Sequence, residues 1–181
     1  ISREPAHIRQ LYGDGVHARQ TLMARRLLER GDRFVQLWHG AGQPWDNHTQ
    51  IKNNHQKLAA EIDQPIAALL TDLKQRGMLD DTIVLWGGEF GRTPTVNPLD
   101  GRDHWPHGYS CLVGGGGLAA GRVLGATDPT GHKRKPTRPV EIADLLATIL
   151  SRMGVEYDKE TITPIGRPMA YCEGTPIPGL L

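Results

Sequence analysis

Helical periodicity is clearest between residues 51 and 77. Apolar side chains recur there at spacings of four, four, three and four residues, namely Leu58, Ile62, Ile66, Leu69 and Leu73. This spacing places them on one face of an amphipathic helix. Pro65 lies inside the pattern and predicts a kink or a fresh helix start at that point.

Two further helices and three strands complete the predicted elements. The helices cover residues 16–31 and 138–154, and each ends at a glycine. Apolar runs at 33–40, 82–88 and 109–115 are typical of strands, and the continuous run at 82–88 predicts a strand that is buried on both faces between parallel neighbours. The alternation of strands with long helices predicts an α/β fold with a mainly parallel sheet flanked by helices.

Composition narrows the class of protein. A length of 181 residues suits a single domain over 1–181, and the Pro- and Gly-rich residues 155–181 predict an irregular tail. The net charge of +1 gives no overall attraction to nucleic acid or to an anionic membrane, and no apolar run approaches the roughly 20 residues of a membrane helix. Cys111 and Cys172 are too few for a disulfide framework, and Cys111, which lies in an apolar run, is predicted to be buried.

Acidic and histidine side chains gather in three polar segments, WDNH (45–48), GEFGRTP (88–94) and GRDHWPHG (101–108). The first two follow predicted strands and the third precedes one. Ligands of α/β sheets bind beyond the carboxyl ends of the strands, so these segments are expected to lie close together. Carboxylate oxygen and imidazole nitrogen bind zinc, manganese and related ions. The candidate metal ligands are Asp46, His48, Glu89, Asp103 and His104.

These residues also have ordinary structural interpretations. Asp46 and Glu89 could cap turns, His48 could be a surface histidine, and Asp103 could form an Asx-turn. None of the spacings is a zinc-finger or zincin signature. Arg92 is suited to bind a phosphate or sulfate group, and a salt bridge that holds its loop is an equal alternative.

Four stretches of the chain together resemble a known bacterial family. They are ARRLLERGDRFVQLWHG, WDNH, and IAALLTDLKQRGMLDDTIVLWGGEFGRTP with GRDHWPHGYSCLVGGGG. They resemble domain-of-unknown-function family 1501, a sulfatase-like branch of the alkaline phosphatase superfamily, over nearly the whole chain. The resemblance implies an alkaline-phosphatase-like fold of which the N-terminal half is missing, a divalent metal (zinc, manganese or calcium), and a periplasmic or secreted location.

The resemblance also assigns metal ligands residue by residue. Glu89 stands where the superfamily has a metal-binding Asp, and Phe90 stands where a metal-binding His is frequent, so one ligand is lost. Asp46 and His48 resemble the ligands that follow the preceding strand. His104 or His107 resembles the later metal-binding histidine, just before the next strand.

The remaining roles also follow from the resemblance. Arg92 and His107 are the candidate catalytic residues. Arg92 would hold the anionic group, while His107, like Asp103, would orient the metal ligands or replace one of them. No stretch of the chain resembles the segment that carries the superfamily's nucleophile. The chain therefore resembles the C-terminal part of a longer protein.

The predicted function is metal-dependent hydrolysis of sulfate or phosphate esters, with a small or polymeric anionic ester as substrate, including a sulfated or phosphorylated glycan. The alternative is a non-catalytic protein on the same fold that binds an anion or a polysaccharide, with a structural or lost metal site. The basic run HKRKPTR at 132–138 is interpreted as a solvated loop, with a dock for such a polymer as the minority alternative. A third possibility is an unrelated α/β domain without a metal. Neither a nucleic acid partner nor a membrane span is expected.

Overall fold

The computed structural model describes residues 1–128, 130 and 136–181, and most of the basic run at 132–138 lies outside them. The chain divides into two compact units. Unit 1 consists of Ile1–Met78 with Thr93–Asp103, and unit 2 consists of Leu79–Arg92 with His104–Leu181.

Three helices form most of unit 1, and these are α1 (Ala6–Tyr12), α2 (Val16–Leu28) and α3 (Ile51–Gln75). The helices predicted over 16–31 and 51–77 are thereby confirmed, and Pro65 lies inside α3 without ending it. The predicted apolar stripe of α3 is buried or half-buried along its length. The unit 1 core contains Ile8, Tyr12, Ala18, Leu22 and Ala68.

A buried ionic network joins these helices. Arg25 on α2 is only 1% exposed, and its guanidinium lies 2.6 Å from Glu4, 2.5 Å from Glu29 and 2.9 Å from Asp72. The contact to Asp72 is an ion pair with poor hydrogen-bond geometry. Asp72 also accepts a 3.0 Å hydrogen bond from the hydroxyl of Tyr12. Burial, and then the charge of Asp72, raise the pKa of Tyr12, so this hydroxyl stays protonated and keeps donating.

Acidification is expected to weaken this network through Glu4. Burial by itself would raise the pKa of Glu4, but the hydrogen bond and charge of Arg25, with smaller contributions from Arg26 and Arg76, lower it below the ordinary value of 4.5. A carboxyl whose pKa is lower in the folded state stabilises the protein above its unfolded-state pKa. That stabilisation is lost as the pH falls through the folded-state value. Urea unfolding should therefore show a loss of stability below about pH 4.5 that is smaller in Glu4→Gln. The exposed-residue control Asp63→Asn should keep the wild-type pH dependence, and equal pH dependence in Glu4→Gln and wild type would contradict the prediction.

Among the described residues of unit 2, six short strands pair two by two, and the three pairs are all antiparallel. The pairs are β1 (Ile83–Trp86) with β4 (Leu112–Gly115), β2 (Gly91–Arg92) with β3 (His104–Trp105), and β5 (Glu160–Ile162) with β6 (Pro168–Ala170). The β5–β6 hairpin lies within the segment predicted to be an irregular tail. No parallel pair occurs among the described residues, and the α/β architecture with a mainly parallel sheet stays a prediction.

The prediction that the strand at 82–88 is buried between parallel neighbours is wrong. Within the described part of the chain β1 has one neighbour, the antiparallel β4, and Leu85 and Trp86 are 47% and 48% exposed. A continuous apolar run predicts a strand, but it does not determine how many neighbouring strands will pair with it or how much of its surface will be buried. Cys111, predicted to be buried in the neighbouring run, is also exposed.

The predicted strand at 33–40 is not assigned as a strand and belongs to no strand pair in the described residues. Phe34 and Trp38 are 77% and 73% exposed, while Val35 and Leu37 between them are half-buried. This alternation is typical of a strand that packs on one face only.

Unit 2 also contains a short 3-10 helix (Leu79–Asp81) and the helix α4 (Ile142–Arg152), which confirms the helix predicted over 138–154. Leu145 on α4 packs with Ile177 and Leu180 in the core of unit 2. No helix among the described residues combines the length and apolar character needed to cross a lipid bilayer.

Candidate metal centre

The first polar segment lies in unit 1, between the stretch 33–39 and α3. Its backbone turns so that the amide of Asp46 donates to Gln43 O (3.1 Å) and the side-chain amide of Asn47 donates to Pro44 O (3.0 Å). Trp45 packs against the ring of His55 and donates from Nε1 to Nδ1 of His39 (3.0 Å). These bonds hold the indole in place, and Trp45, Asp46 and Asn47 are all half-buried.

His48 lies between two carboxylates. Its Nε2 is 3.1 Å from Asp46 Oδ1, and its Nδ1 is 2.8 Å from Asp103 Oδ1. The side chains of Asp46, His48 and Asp103 are 24%, 43% and 55% exposed. A small cation can therefore reach them from solvent. The structure thus brings together three predicted ligands from two segments of unit 1.

The chemistry of this cluster fits a divalent cation. A carboxylate can only accept hydrogen bonds, and a neutral imidazole carries one N–H. If Nδ1–H donates to Asp103, Nε2 has a lone pair that faces Asp46, and this arrangement requires either a second proton or a cation. Metal–ligand distances near 2.0–2.2 Å place two ligand atoms about 3 Å apart at a right angle and about 3.4 Å apart at the tetrahedral angle. The 3.1 Å between Nε2 and Asp46 Oδ1 is close to the right-angle separation and slightly shorter than the tetrahedral one.

The geometry also suits Asp103 to the predicted orienting role. A histidine that binds a metal usually donates its other ring N–H to a carboxylate, which sets the tautomer and the ring orientation. Asp103 is placed to accept that bond from His48 Nδ1. This placement supports the orienting role that the resemblance assigns to Asp103.

Backbone bonds hold the two segments of unit 1 together. The amide of Arg102 donates to Asn47 O (3.1 Å), and the amides of Gln50 and Ile51 donate to Leu99 O (3.1 Å) and Asp100 O (2.8 Å). Gly101 packs so closely that a Cβ there would lie 2.0 Å from the carbonyl of His48. Only glycine fits at this position without moving one of the two segments.

The other candidate residues lie in unit 2. Arg92 on β2 pairs with His104 on β3, and the ring of Phe90 lies 4.5 Å from that of His104 and 5.4 Å from the guanidinium of Arg92. His107 contacts the Trp105 ring edge-on. Glu89 is exposed after the end of β1. Phe90, which directly precedes β2, therefore packs against the paired residues Arg92 and His104.

The predicted site residues thus fall into two groups. Unit 1 holds the cluster of Asp46, His48 and Asp103, and unit 2 holds Glu89, Arg92, His104 and His107. Convergence of the two groups on one cation stays a prediction. His104 follows Asp103 directly in the chain, and its assignment as a metal ligand also stays a prediction.

Sequence reasoning missed Asn97 and Gly101, which belong to the segment N-P-L-D-G. An Asn-Pro pair and a nearby glycine signal a turn, and the sequence could have predicted that turn. It contains no signal that the turn would contact His48 from 49 residues away.

These observations define a protein of mixed helices and short antiparallel strands with a carboxylate–imidazole cluster suited to a cation. The chain belongs to the family described as "Protein of unknown function (DUF1501)", whose model matches residues 1–181. This confirms the family resemblance, whereas the placement in a sulfatase-like branch stays a prediction. Neither a curated protein nor a solved structure matches the chain.

Proposed function

We propose that this protein is a metal-dependent hydrolase of sulfate or phosphate esters. The observation that carries the proposal is the position of His48 between Asp46 and Asp103, at 3.1 Å and 2.8 Å. Asp46 and Nε2 of His48 bind the cation, and Asp103 orients the imidazole. A divalent cation bound there supplies a Lewis acid that polarises the ester.

Arg92 is the proposed anion-binding residue, and it comes from unit 2. Its planar guanidinium suits the paired oxygens of a sulfate or phosphate group, and its packing on Phe90 limits the directions in which it can point. Glu89 and His104 are the proposed additional ligands, and His107 is the proposed orienting or replacement group. Zinc, manganese and calcium are all candidates for the cation.

The nucleophile is proposed to come from outside residues 1–181. Thr93 is the hydroxyl residue nearest in sequence to the candidate Arg92, but its Oγ1 donates to Thr95 O (2.9 Å) and accepts from the amide of Asp103 (3.1 Å). These two hydrogen bonds engage the Thr93 hydroxyl in holding its loop together, which is a structural role.

The test compares residues 1–181 with a longer polypeptide that includes the nucleophile segment implied by the resemblance. Both are assayed on aryl sulfate and aryl phosphate with Zn²⁺, Mn²⁺ or Ca²⁺. The longer protein is expected to turn over one ester class. Asp46→Asn is expected to abolish that turnover, because asparagine has nearly the size of aspartate but lacks the negative charge that binds the cation. Residues 1–181 alone are expected to show little turnover, since an activated nucleophile is absent.

Robust turnover by residues 1–181 alone would show that the nucleophile lies within them, and Thr93→Ala would be the next variant to assay. The alternative function is non-catalytic binding of an anion or a polysaccharide, and the engagement of the Thr93 hydroxyl favours it. Metal binding without turnover by either protein would support that alternative.

A further inference from the structure

Asn97 lies where the two segments of the metal cluster meet, and its side chain uses its full hydrogen-bonding capacity. Nδ2 donates to His48 O (3.0 Å) and to Asp103 Oδ1 (3.2 Å). Oδ1 accepts from the amides of Leu99 (2.9 Å) and Gly101 (2.9 Å). An asparagine amide has two donor hydrogens and two acceptor lone pairs, so all four positions are occupied.

The chemistry of the partners determines which way this amide points. A carbonyl and a carboxylate need a donor, and two backbone N–H groups need an acceptor. The reversed amide would place its oxygen against two acceptors and its nitrogen against two donors. The orientation is therefore set by the network itself.

The two ends of the amide have different tasks. The Oδ1 end holds the turn from Asn97 to Gly101, which presses against the carbonyl of His48. The Nδ2 end links the backbone of His48 with the side chain of Asp103. Because the Asp103 side chain is 55% exposed, it has room to rotate towards solvent if a donor near it is lost.

We propose that Asn97 is the positioning residue of the metal centre. It donates to the Asp103 oxygen that faces His48 Nδ1, holds that oxygen in place, and so leaves Nε2 of His48 directed at the cation. This inference rests on the metal site of the proposed function but not on the hydrolytic reaction. Asn97 acts through Asp103 and does not itself bind the cation.

The experiment is a double-mutant cycle on Zn²⁺ affinity, measured by competition with a chromogenic chelator at pH 7.5. The proteins are wild type, Asn97→Ala, Asp103→Ala and the double variant. Loss of a group that orients a metal ligand weakens binding by roughly 10–100-fold, and this is expected for each single variant. Because both act through one interaction, Asn97→Ala should have little further effect in the Asp103→Ala background.

A matched control is Asn54→Ala. Asn54 also lies in unit 1, and its Nδ2 donates to Thr49 O (3.2 Å), next to the metal segment. It makes no contact with Asp103 in the described structure, so its removal should leave Zn²⁺ affinity within about 3-fold of wild type, a free-energy change of less than about 0.7 kcal/mol. If Asn97→Ala and Asn54→Ala weakened Zn²⁺ binding equally, the cause would be a general loosening of the backbone around His48, and the positioning role of Asn97 would be overturned.

Each remaining outcome decides the matter. Full additivity in the cycle would show that Asn97→Ala damages the site independently of Asp103, and it would overturn the positioning role. Loss of all measurable binding in Asp103→Ala would make Asp103 an indispensable ligand and would overturn it too. A wild-type protein that binds no Zn²⁺ overturns both the metal site and this inference. If Zn²⁺ binds and the cycle is non-additive as expected, but no ester is turned over, only the hydrolase proposal is overturned.

Discussion

Replacing Arg25 with alanine is expected to destabilise unit 1 by about 3–5 kcal/mol. The guanidinium is 1% exposed and lies between Glu4, Glu29 and Asp72. Asp72 is itself 1% exposed. Without Arg25, Asp72 keeps its contacts with Tyr12 and Arg76 but loses a buried positive charge at 2.9 Å. Desolvation of a charge is costly when its partner is removed, and this cost is larger than the net stabilisation from the intact network.

Arg26→Ala is the matched control for this prediction. Arg26 is the next residue on α2 and also pairs with Glu4, at 3.2 Å, but its side chain is 21% exposed. Exposed or partly exposed pairs contribute at most about 1 kcal/mol. Urea unfolding followed by circular dichroism measures both variants. Equal losses in Arg25→Ala and Arg26→Ala would show that burial does not give this network its importance.

The second large effect is expected from His48→Ala, which should weaken binding of Zn²⁺ by about 100-fold or more. Loss of a group that only orients a ligand costs 10–100-fold, and removal of the imidazole takes away both the Nε2 ligand and the partner of Asp103. Isothermal titration calorimetry at pH 7.5 measures the effect.

His7→Ala is the control for the His48 variant. His7 is an exposed histidine on α1 of the same unit, so the change removes an imidazole without touching the cluster. Its Zn²⁺ affinity should equal that of wild type. If His48→Ala binds Zn²⁺ as tightly as His7→Ala does, the cluster is a hydrogen-bonded surface feature and the metal centre must be sought elsewhere in the chain.

The sequence predicted the helices well because their signal is local. The apolar stripe of α3 and the glycines that follow α2 and α4 depend on residues a few positions apart, and the structure confirms all three helices. Strand partners were harder to predict because pairing depends on contacts distant in the chain. The run at 82–88 is a strand, but its single antiparallel partner in the described structure and its half-exposed Leu85 and Trp86 could not be read from its own side chains.

The candidate site divides in the same way. The sequence by itself determined which side chains can bind a cation, because a carboxylate or an imidazole carries its ligand chemistry in any fold. Only the tertiary structure decided that Asp103 meets His48, 55 residues away, and that Asn97 links them. The physical reason is that backbone bonds such as Arg102 N to Asn47 O set the distance between the two segments. Those bonds use groups that every non-proline residue carries, so they leave no mark in the sequence.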